Sequence, residues 1–105
     1  MPRTYRLTVA DLKAFRPVRR LHGTLFSLGI APAANVRAAC VVSKKVSPRA
    51  VGRNLIKRRA RAILSPLLPD LPAAHYVFYA KKEALHADFS SIKNDLSKMC
   101  ERARA

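Results

Sequence analysis

Eight lysine and arginine side chains, with no aspartate or glutamate among them, lie between Ser43 and Arg61. Arginine suits phosphate because its planar guanidinium can donate two parallel hydrogen bonds to phosphate oxygens. Asn54 can donate to a phosphate or a ribose 2′-hydroxyl and can accept from a base. A solvated cationic face is the alternative interpretation, but the lack of acids favours a polyanion-binding surface. Its predicted members are Lys44, Lys45, Arg49, Arg53, Asn54, Lys57, Arg58, Arg59 and Arg61.

A helix is predicted to present most of these side chains. Ser47 is the predicted N-cap and Pro48 the first helical residue, and the helix should run to about Leu64, before Pro66. Successive residues of a helix are about 100° apart. One line of the helix therefore carries Arg53, Lys57 and Arg61, flanked by Asn54 and Arg58, and a separate apolar arc carries Val51, Leu55, Ile56, Ala62 and Ile63.

Like charges four residues apart destabilise an isolated helix by roughly a few tenths of a kcal/mol per pair. An external anion such as phosphate would offset that repulsion. The whole chain has the same bias, since 21 Lys and Arg face six Asp and Glu in 105 residues, for a net charge of +15. We therefore expect one small domain, residues 1–105, with a polyanionic partner.

A membrane surface is the competing polyanion, but no apolar run approaches the ~20 residues of a spanning helix. The basic N-terminus lacks the apolar stretch of a secretory signal. Cys40 and Cys100 lie in apolar patterns and are expected to be buried thiols of a cytoplasmic protein, with a disulfide between them as the alternative. The sequence thus predicts no membrane partner.

Side chains for catalysis are scarce. The six acids are dispersed, His22, His75 and His86 are isolated, and no Cys/His cluster has metal-ligand spacing. We therefore expect no catalytic residue, no protein-held metal and no organic cofactor. Five aromatic residues could form a stacking platform for single-stranded nucleic acid, although each is more often a core residue: Phe15, Phe26, Tyr76, Phe78 and Tyr79.

The remaining patterns predict an α+β fold. A first helix over residues 9–15 should be capped by Thr8, and a last helix by Asp88 or Ser90, with Phe89, Ile92, Leu96 and Met99 along one side. Strands are predicted over residues 24–30, 36–43 and 74–80. The first two should form a hairpin, the second should be a central strand, and residues 16–23 should be a connection. If the second and third strands are parallel neighbours, the basic helix is their crossover.

The segment from Val42 to Arg61 resembles the signature of the bacterial ribonuclease P protein subunit. That signature is a strand ending in Ser-Lys-Lys, a short linker, and Arg-Asn-Arg-x-Lys-Arg-x-x-Arg on a helix. Here it reads Val-Ser-Lys-Lys-Val, then Arg53-Asn54-Leu55-Ile56-Lys57-Arg58-Arg59-Ala60-Arg61. Residues 75–82 also resemble the next strand of the family, which commonly closes on Ala-Arg/Lys-Lys.

The resemblance implies a two-layer sandwich with a mixed sheet of three to four strands, three helices and a left-handed β-α-β crossover. It implies a non-catalytic protein that binds a catalytic RNA one to one, together with the 5′ leader of precursor tRNA. Magnesium, held mainly by the RNA, would support leader removal. Carried over by position, the RNA contacts are Lys44, Lys45, Arg53, Asn54, Lys57, Arg58 and Arg61, while Arg49 and Arg59 join on charge and geometry. Phe15 and Phe26 are the candidate leader contacts.

Two departures from the family pattern affect this interpretation. Leu55 stands where the family has its second arginine, and Arg59 stands at a position that is usually apolar. We hypothesise that the guanidinium has moved by one turn and that Leu55 has taken over the apolar contact. Phe15 also stands alone where the family usually has two aromatics. A small ribosomal protein or RNA chaperone, a DNA-binding protein and an autonomous nuclease are the alternative functions.

Overall fold

A computed structural model describes residues 5–105 as three α-helices and a four-stranded sheet. The helices are α1 (Val9–Ala14), α2 (Ala50–Leu64) and α3 (Phe89–Arg104), and short 3₁₀ turns cover Leu68–Asp70 and Lys82–Leu85. The strands are β1 (Arg19–His22), β2 (Phe26–Pro32), β3 (Arg37–Val41) and β4 (Ala74–Ala80). Their order in the sheet is β1-β2-β4-β3. The fold is therefore α+β with a mixed sheet, as the sequence predicts.

The pairing of the strands differs from the prediction in three respects. β2 and β3 do not form a hairpin, because β4 lies between them, antiparallel to β2 and parallel to β3. β3 is consequently the last strand of the sheet order and not a central one. The predicted connection over residues 16–23 contains β1, a strand whose single buried residue, Leu21, gives almost no alternating pattern. The prediction that α2 is the crossover between parallel neighbours is confirmed.

Apolar side chains on both faces of β4 explain its central position. Val77 and Phe78 are adjacent, point to opposite faces and are both fully buried. Phe78 faces the layer formed by α2 and α3. Strand β2 supplies the predicted alternating residues to the same core, while α2 contributes Ile56, Ala60, Ile63 and Leu64, and α3 contributes Ile92, Leu96, Met99, Cys100 and Ala103.

Phe26 belongs to this core and has no exposed surface. Its proposed contact with a tRNA leader is therefore wrong for this structure, because a fully buried ring offers no face for a base. The alternation of β2 is the physical reason, since it directs Phe26 with Leu28 and Ile30 toward the helices.

No helix within residues 5–105 is long and apolar enough to cross a membrane.

Helix α1 begins as predicted. The Thr8 side chain accepts from the Asp11 N–H, and the Asp11 carboxylate accepts from the Thr8 N–H at 2.9 Å, so the two residues form a capping box. The helix ends at Ala14, and Phe15 is the extended C-cap just before Arg16 and Pro17. The ring of Phe15 then lies against Gly29 of β2, on the face of the sheet opposite the core.

One carboxylate fixes the turn between β1 and β2. Asp95 of α3 accepts from the backbone N–H groups of Thr24, Leu25 and Phe26 at 3.0–3.1 Å. Gly23 leaves room for it, because a Cβ there would lie 2.8 Å from Asp95 Oδ1. The sheet and α3 are thus joined by polar contacts as well as by the core.

Candidate nucleic-acid interface

The basic helix begins two residues later than predicted. Arg49 is the N-cap, its side chain makes no capping bond, and Ala50 is the first helical residue. Ser47 is not the cap. It is buried, and its hydroxyl donates to the Arg49 carbonyl oxygen at 3.2 Å. The chain before the helix is a turn in which the N–H groups of Val46 and Ser47 both donate to the Ser43 carbonyl.

The buried side of α2 also differs from the predicted apolar arc. Ile56 and Ile63 are buried as expected, but Ala60 and Leu64 complete the buried side. Val51 is 80% exposed and Leu55 is 37% exposed. The buried side is centred on Ala60, which is fully buried and lets α2 approach the sheet and α3 closely, and the larger apolar side chains alone do not mark it. Leu55 has therefore not taken over an apolar core contact.

One set of cations on α2 faces a cleft beside β3. Lys57 and Arg61 line this cleft, about 160 Å³ in volume, together with Leu12 of α1 and Cys40 of β3. Burial raises the pKa of the Cys40 thiol to about 12, and the charges of Lys57 and Arg61 only partly oppose that rise. Of the predicted line of Arg53, Lys57 and Arg61, the last two therefore face one partly enclosed space, and Arg53 does not line it.

A second set of polar side chains points outward. Asn54 and Arg58 are exposed on α2, and Lys44, Lys45 and Arg49 are exposed on the preceding loop. Phosphate could approach all five without moving the protein core. Helix α2 thus presents cations in two directions, toward solvent and toward the cleft.

Arg53 and Arg59 are occupied by backbone contacts. The Arg53 Nη1 donates to the carbonyl oxygens of Ser47 and Pro48 at 3.0 and 2.9 Å. The Arg59 Nη1 donates to the Ala87 carbonyl oxygen at 3.4 Å, ahead of α3. These two arginines are half-buried and do not extend from the helix as the exposed Arg58 does.

The other wall of the cleft comes from the N-terminal segment. Arg6 and Leu7 line the cleft with Leu12, and the Leu7 N–H donates to the Ala38 carbonyl oxygen at 3.1 Å. Sequence reasoning missed these residues because their position depends on an isolated parallel bridge between Arg6 and Ala38, for which no local pattern exists. Phe15 is not among the residues that line this cleft. It is half-buried, and its ring contacts Gly29 on the face of the sheet opposite the core.

Three of the acids within the described residues are engaged by backbone N–H groups. No group of three or more His, Cys, Asp or Glu side chains in residues 5–105 is arranged to bind a metal ion. Asp11, Asp88 and Asp95 each accept hydrogen bonds from backbone N–H groups. The predicted interface side chains of α2 and its preceding loop are cations and one amide, a set of donors that suits phosphate oxygens.

Comparison with known proteins gives one consistent family. The family model described as Ribonuclease P matches residues 1–104. The chain is 39% identical over 83 residues to the Ribonuclease P protein component of a Nitratiruptor species, covering 79% of this chain and 75% of that protein. It is 42% identical over 92 residues to the corresponding protein of Thermus thermophilus, covering 82% of this chain and 55% of that relative.

Solved structures agree on the fold. The RNase P protein of Staphylococcus aureus superposes with a TM-score of 0.82 at 24% identity, covering 95% of each chain. The RNase P protein of Thermotoga maritima superposes with a TM-score of 0.80 at 22% identity, covering 95% of this chain and 98% of that one. The strand order and the position of α2 therefore belong to a known architecture.

Proposed function

Because the chain belongs to the ribonuclease P protein family, we propose that it is the protein subunit of ribonuclease P. In this role it binds the catalytic RNA and the 5′ leader of precursor tRNA, and it promotes removal of the leader to give the mature tRNA 5′ end. The protein does not perform the chemistry. The RNA carries the reaction and holds the magnesium ions, which supply metal-assisted phosphodiester cleavage.

The observation that carries this proposal is the division of the α2 cations between two directions. Asn54, Arg58 and the exposed cations of the loop bind the catalytic RNA. Lys57 and Arg61 face the cleft and bind the backbone of the single-stranded leader. One helix can thus contact two RNA molecules at once, as a subunit that assembles enzyme and substrate must do.

Charge explains how a protein without catalytic groups can accelerate the reaction. Two RNAs repel each other at short distance, and a domain of net charge +15 between them lowers that repulsion. The benefit is greatest when magnesium is scarce, because magnesium otherwise screens the same phosphates. One protein per RNA is sufficient for this arrangement. The two free cysteines fit a reducing cytoplasm.

Phe15 supplies an apolar surface on the face of the sheet opposite the core. Its ring is fixed against Gly29 and retains exposed area, so a leader base can stack on it.

Arg59 has a different role in this proposal. Its bond to the Ala87 carbonyl keeps the guanidinium beside the start of α3, where it extends the RNA-docking surface sideways and substitutes only in part for an arginine at position 55.

The test is reconstitution of precursor tRNA cleavage at low magnesium with the cognate catalytic RNA. We expect the protein to stimulate 5′ cleavage. Replacing Lys57 and Arg61 by alanine should weaken binding of precursor tRNA but not of mature tRNA, whereas replacing Asn54 and Arg58 should weaken binding of the catalytic RNA. Replacement of Lys93 and Lys98, exposed on α3, is the control with the same loss of charge as the Lys57/Arg61 pair.

Three outcomes would contradict the proposal. No change in cleavage rate or substrate affinity would leave a ribosomal protein or RNA chaperone as the better description. Preference for duplex DNA over structured RNA at matched salt would indicate a DNA-binding protein. Cleavage by the protein without added RNA would indicate an autonomous nuclease.

A further inference from the structure

We infer that Ser47, Gly52 and Arg53 form a latch that fixes the loop carrying Lys44 and Lys45 against the first turn of α2. Arg53 then serves RNA binding as a positioning residue and not as a phosphate ligand. The inference rests on the proposed function for its RNA partner. The contacts among Ser47, Gly52 and Arg53 belong to the free protein and can be tested without RNA.

Arg53 supplies the polar half of the latch. Its Nη1 donates to two consecutive carbonyl oxygens, those of Ser47 and Pro48, from one helical turn further along the chain. Hydrogen bonds from a charged donor are about twice as strong as neutral ones. The Arg53 guanidinium therefore points toward the loop, whereas the Arg58 side chain points outward.

Ser47 and Gly52 supply the steric half. The buried Ser47 side chain sits directly over the Gly52 Cα, so a Cβ on Gly52 would collide with Ser47 Oγ and lie 3.3 Å from Ser47 Cβ. Gly52 has an ordinary helical backbone with negative φ, so close approach and not conformation requires glycine here. The Ser47 hydroxyl also donates to the Arg49 carbonyl and thereby joins the loop to the N-cap.

The loop needs such a latch because of its charge. Lys44 and Lys45 are adjacent, exposed and close in sequence to Arg49, so mutual repulsion favours an open loop. The turn itself has only two backbone bonds, both to the Ser43 carbonyl. A loop that is ordered before binding avoids the entropic cost of ordering two long side chains and their backbone in the complex. The latch therefore raises affinity without itself touching RNA.

Gly52→Ala tests the latch without changing charge. Alanine is a better helix former than glycine, so α2 should remain folded while Ser47 is displaced. In the free protein, amide hydrogen exchange of Val46 and Ser47 should accelerate. Affinity for the cognate catalytic RNA should fall by on the order of tenfold. The slope of log affinity against log salt should stay unchanged, because the phosphate contacts in the complex are the same.

Ser47→Ala provides the rescue. In the Gly52→Ala protein, removal of the Ser47 hydroxyl abolishes the collision with the new Cβ at position 52. The 3.3 Å contact between that Cβ and the Cβ of residue 47 remains, and a small shift relieves it. The double variant should therefore recover most of the affinity and slow exchange at Val46. Arg53→Ala should resemble Gly52→Ala in exchange and in salt slope, and combining the two should cost little more than either alone.

Arg58→Ala is the matched control, since it removes an exposed cation of the same helix. It should leave amide exchange unchanged and lower the salt slope by about 0.7–0.9. A salt slope lowered by that amount in Arg53→Ala would make Arg53 a phosphate ligand and overturn the inference. Unchanged amide hydrogen exchange and unchanged affinity for the catalytic RNA in Gly52→Ala would also overturn the inference. Failure of wild-type protein to bind the RNA would contradict the proposed function, while the exchange result would still decide the latch.

Discussion

The ring of Phe15 lies in direct contact with the backbone of Gly29. A Cβ on Gly29 would be 3.1 Å from Phe15 Cε2 and 3.3 Å from Cζ, closer than side chains normally pack. Glycine at position 29 therefore leaves the space that the aromatic ring occupies on the open face of the sheet. A base that stacks on Phe15 would meet a ring already held in place, which lowers the entropy lost on binding.

Phe15→Ala should weaken binding of precursor tRNA and leave binding of mature tRNA unchanged. Stacking on an aromatic ring contributes roughly 1–3 kcal/mol per base, so a loss of affinity between about fivefold and a hundredfold is expected. Equilibrium binding of both tRNAs to the reconstituted complex measures this. Phe89→Ala removes an aromatic side chain that is 46% exposed on α3 and is the control. Equal losses for both tRNAs would show that Phe15 does not contact the leader.

Leu55→Arg should increase affinity for the catalytic RNA. The Leu55 side chain is partly exposed, so an arginine can extend from the helix without loss of core packing, and each added phosphate contact should steepen the salt slope by about 0.7–0.9. Salt-dependent binding measurements test this. Combining it with Arg59→Leu tests the hypothesised exchange of positions, and an affinity far below that of either single variant would reject the exchange.

Asp95→Asn should destabilise the fold. The carboxylate accepts three backbone N–H bonds at the start of β2, and an amide offers one acceptor oxygen and a donor that faces N–H groups. Hydrogen bonds to charged groups contribute about 1.5–3 kcal/mol, so a loss of about 2–3 kcal/mol is expected. Urea unfolding measures the free energy, and Glu101→Gln, at an exposed position of the same helix, is the control. Equal stability of the two variants would contradict the role of Asp95.

Acid should weaken the cap of α3. The Ser91 N–H donates to Asp88 at 2.8 Å, and this bond lowers the pKa of Asp88 below its ordinary value of 3.8, with a smaller contribution from Arg59. The native state thus favours the ionised form, so the cap contribution is complete above about pH 5 and is lost as the pH falls through the lowered pKa.

A pH titration of the Asp88 carboxyl by NMR tests this expectation, with a midpoint below 3.8 as the expected result. Asp88→Asn can still cap the helix but does not ionise, so it should remove the acid dependence at this helix end. A midpoint at or above the ordinary value would mean that the cap is not formed in solution.

Local signals predicted some elements and missed others for physical reasons. The caps Thr8 and Asp88 were predictable because a cap depends on residues three apart in sequence. The absence of a β2–β3 hairpin was not predictable, because the strand that lies between them, β4, is distant in sequence and local patterns do not reveal which distant strands pair. The contacts of Arg53 and Ser47 also escaped prediction, since charge alone does not reveal whether a guanidinium faces solvent or a carbonyl.

The position of β4 between two earlier strands affects how the protein is made. Neither β2 nor β3 can pair on its inner side until residues 74–80 have left the ribosome, although α2 is synthesised before them. Pairing of this kind joins distant parts of the chain and is slow to form. During synthesis the cationic segment therefore emerges beside ribosomal RNA before the sheet that orients it exists. A nascent chain that stops short of β4 carries the charge of the interface without its geometry.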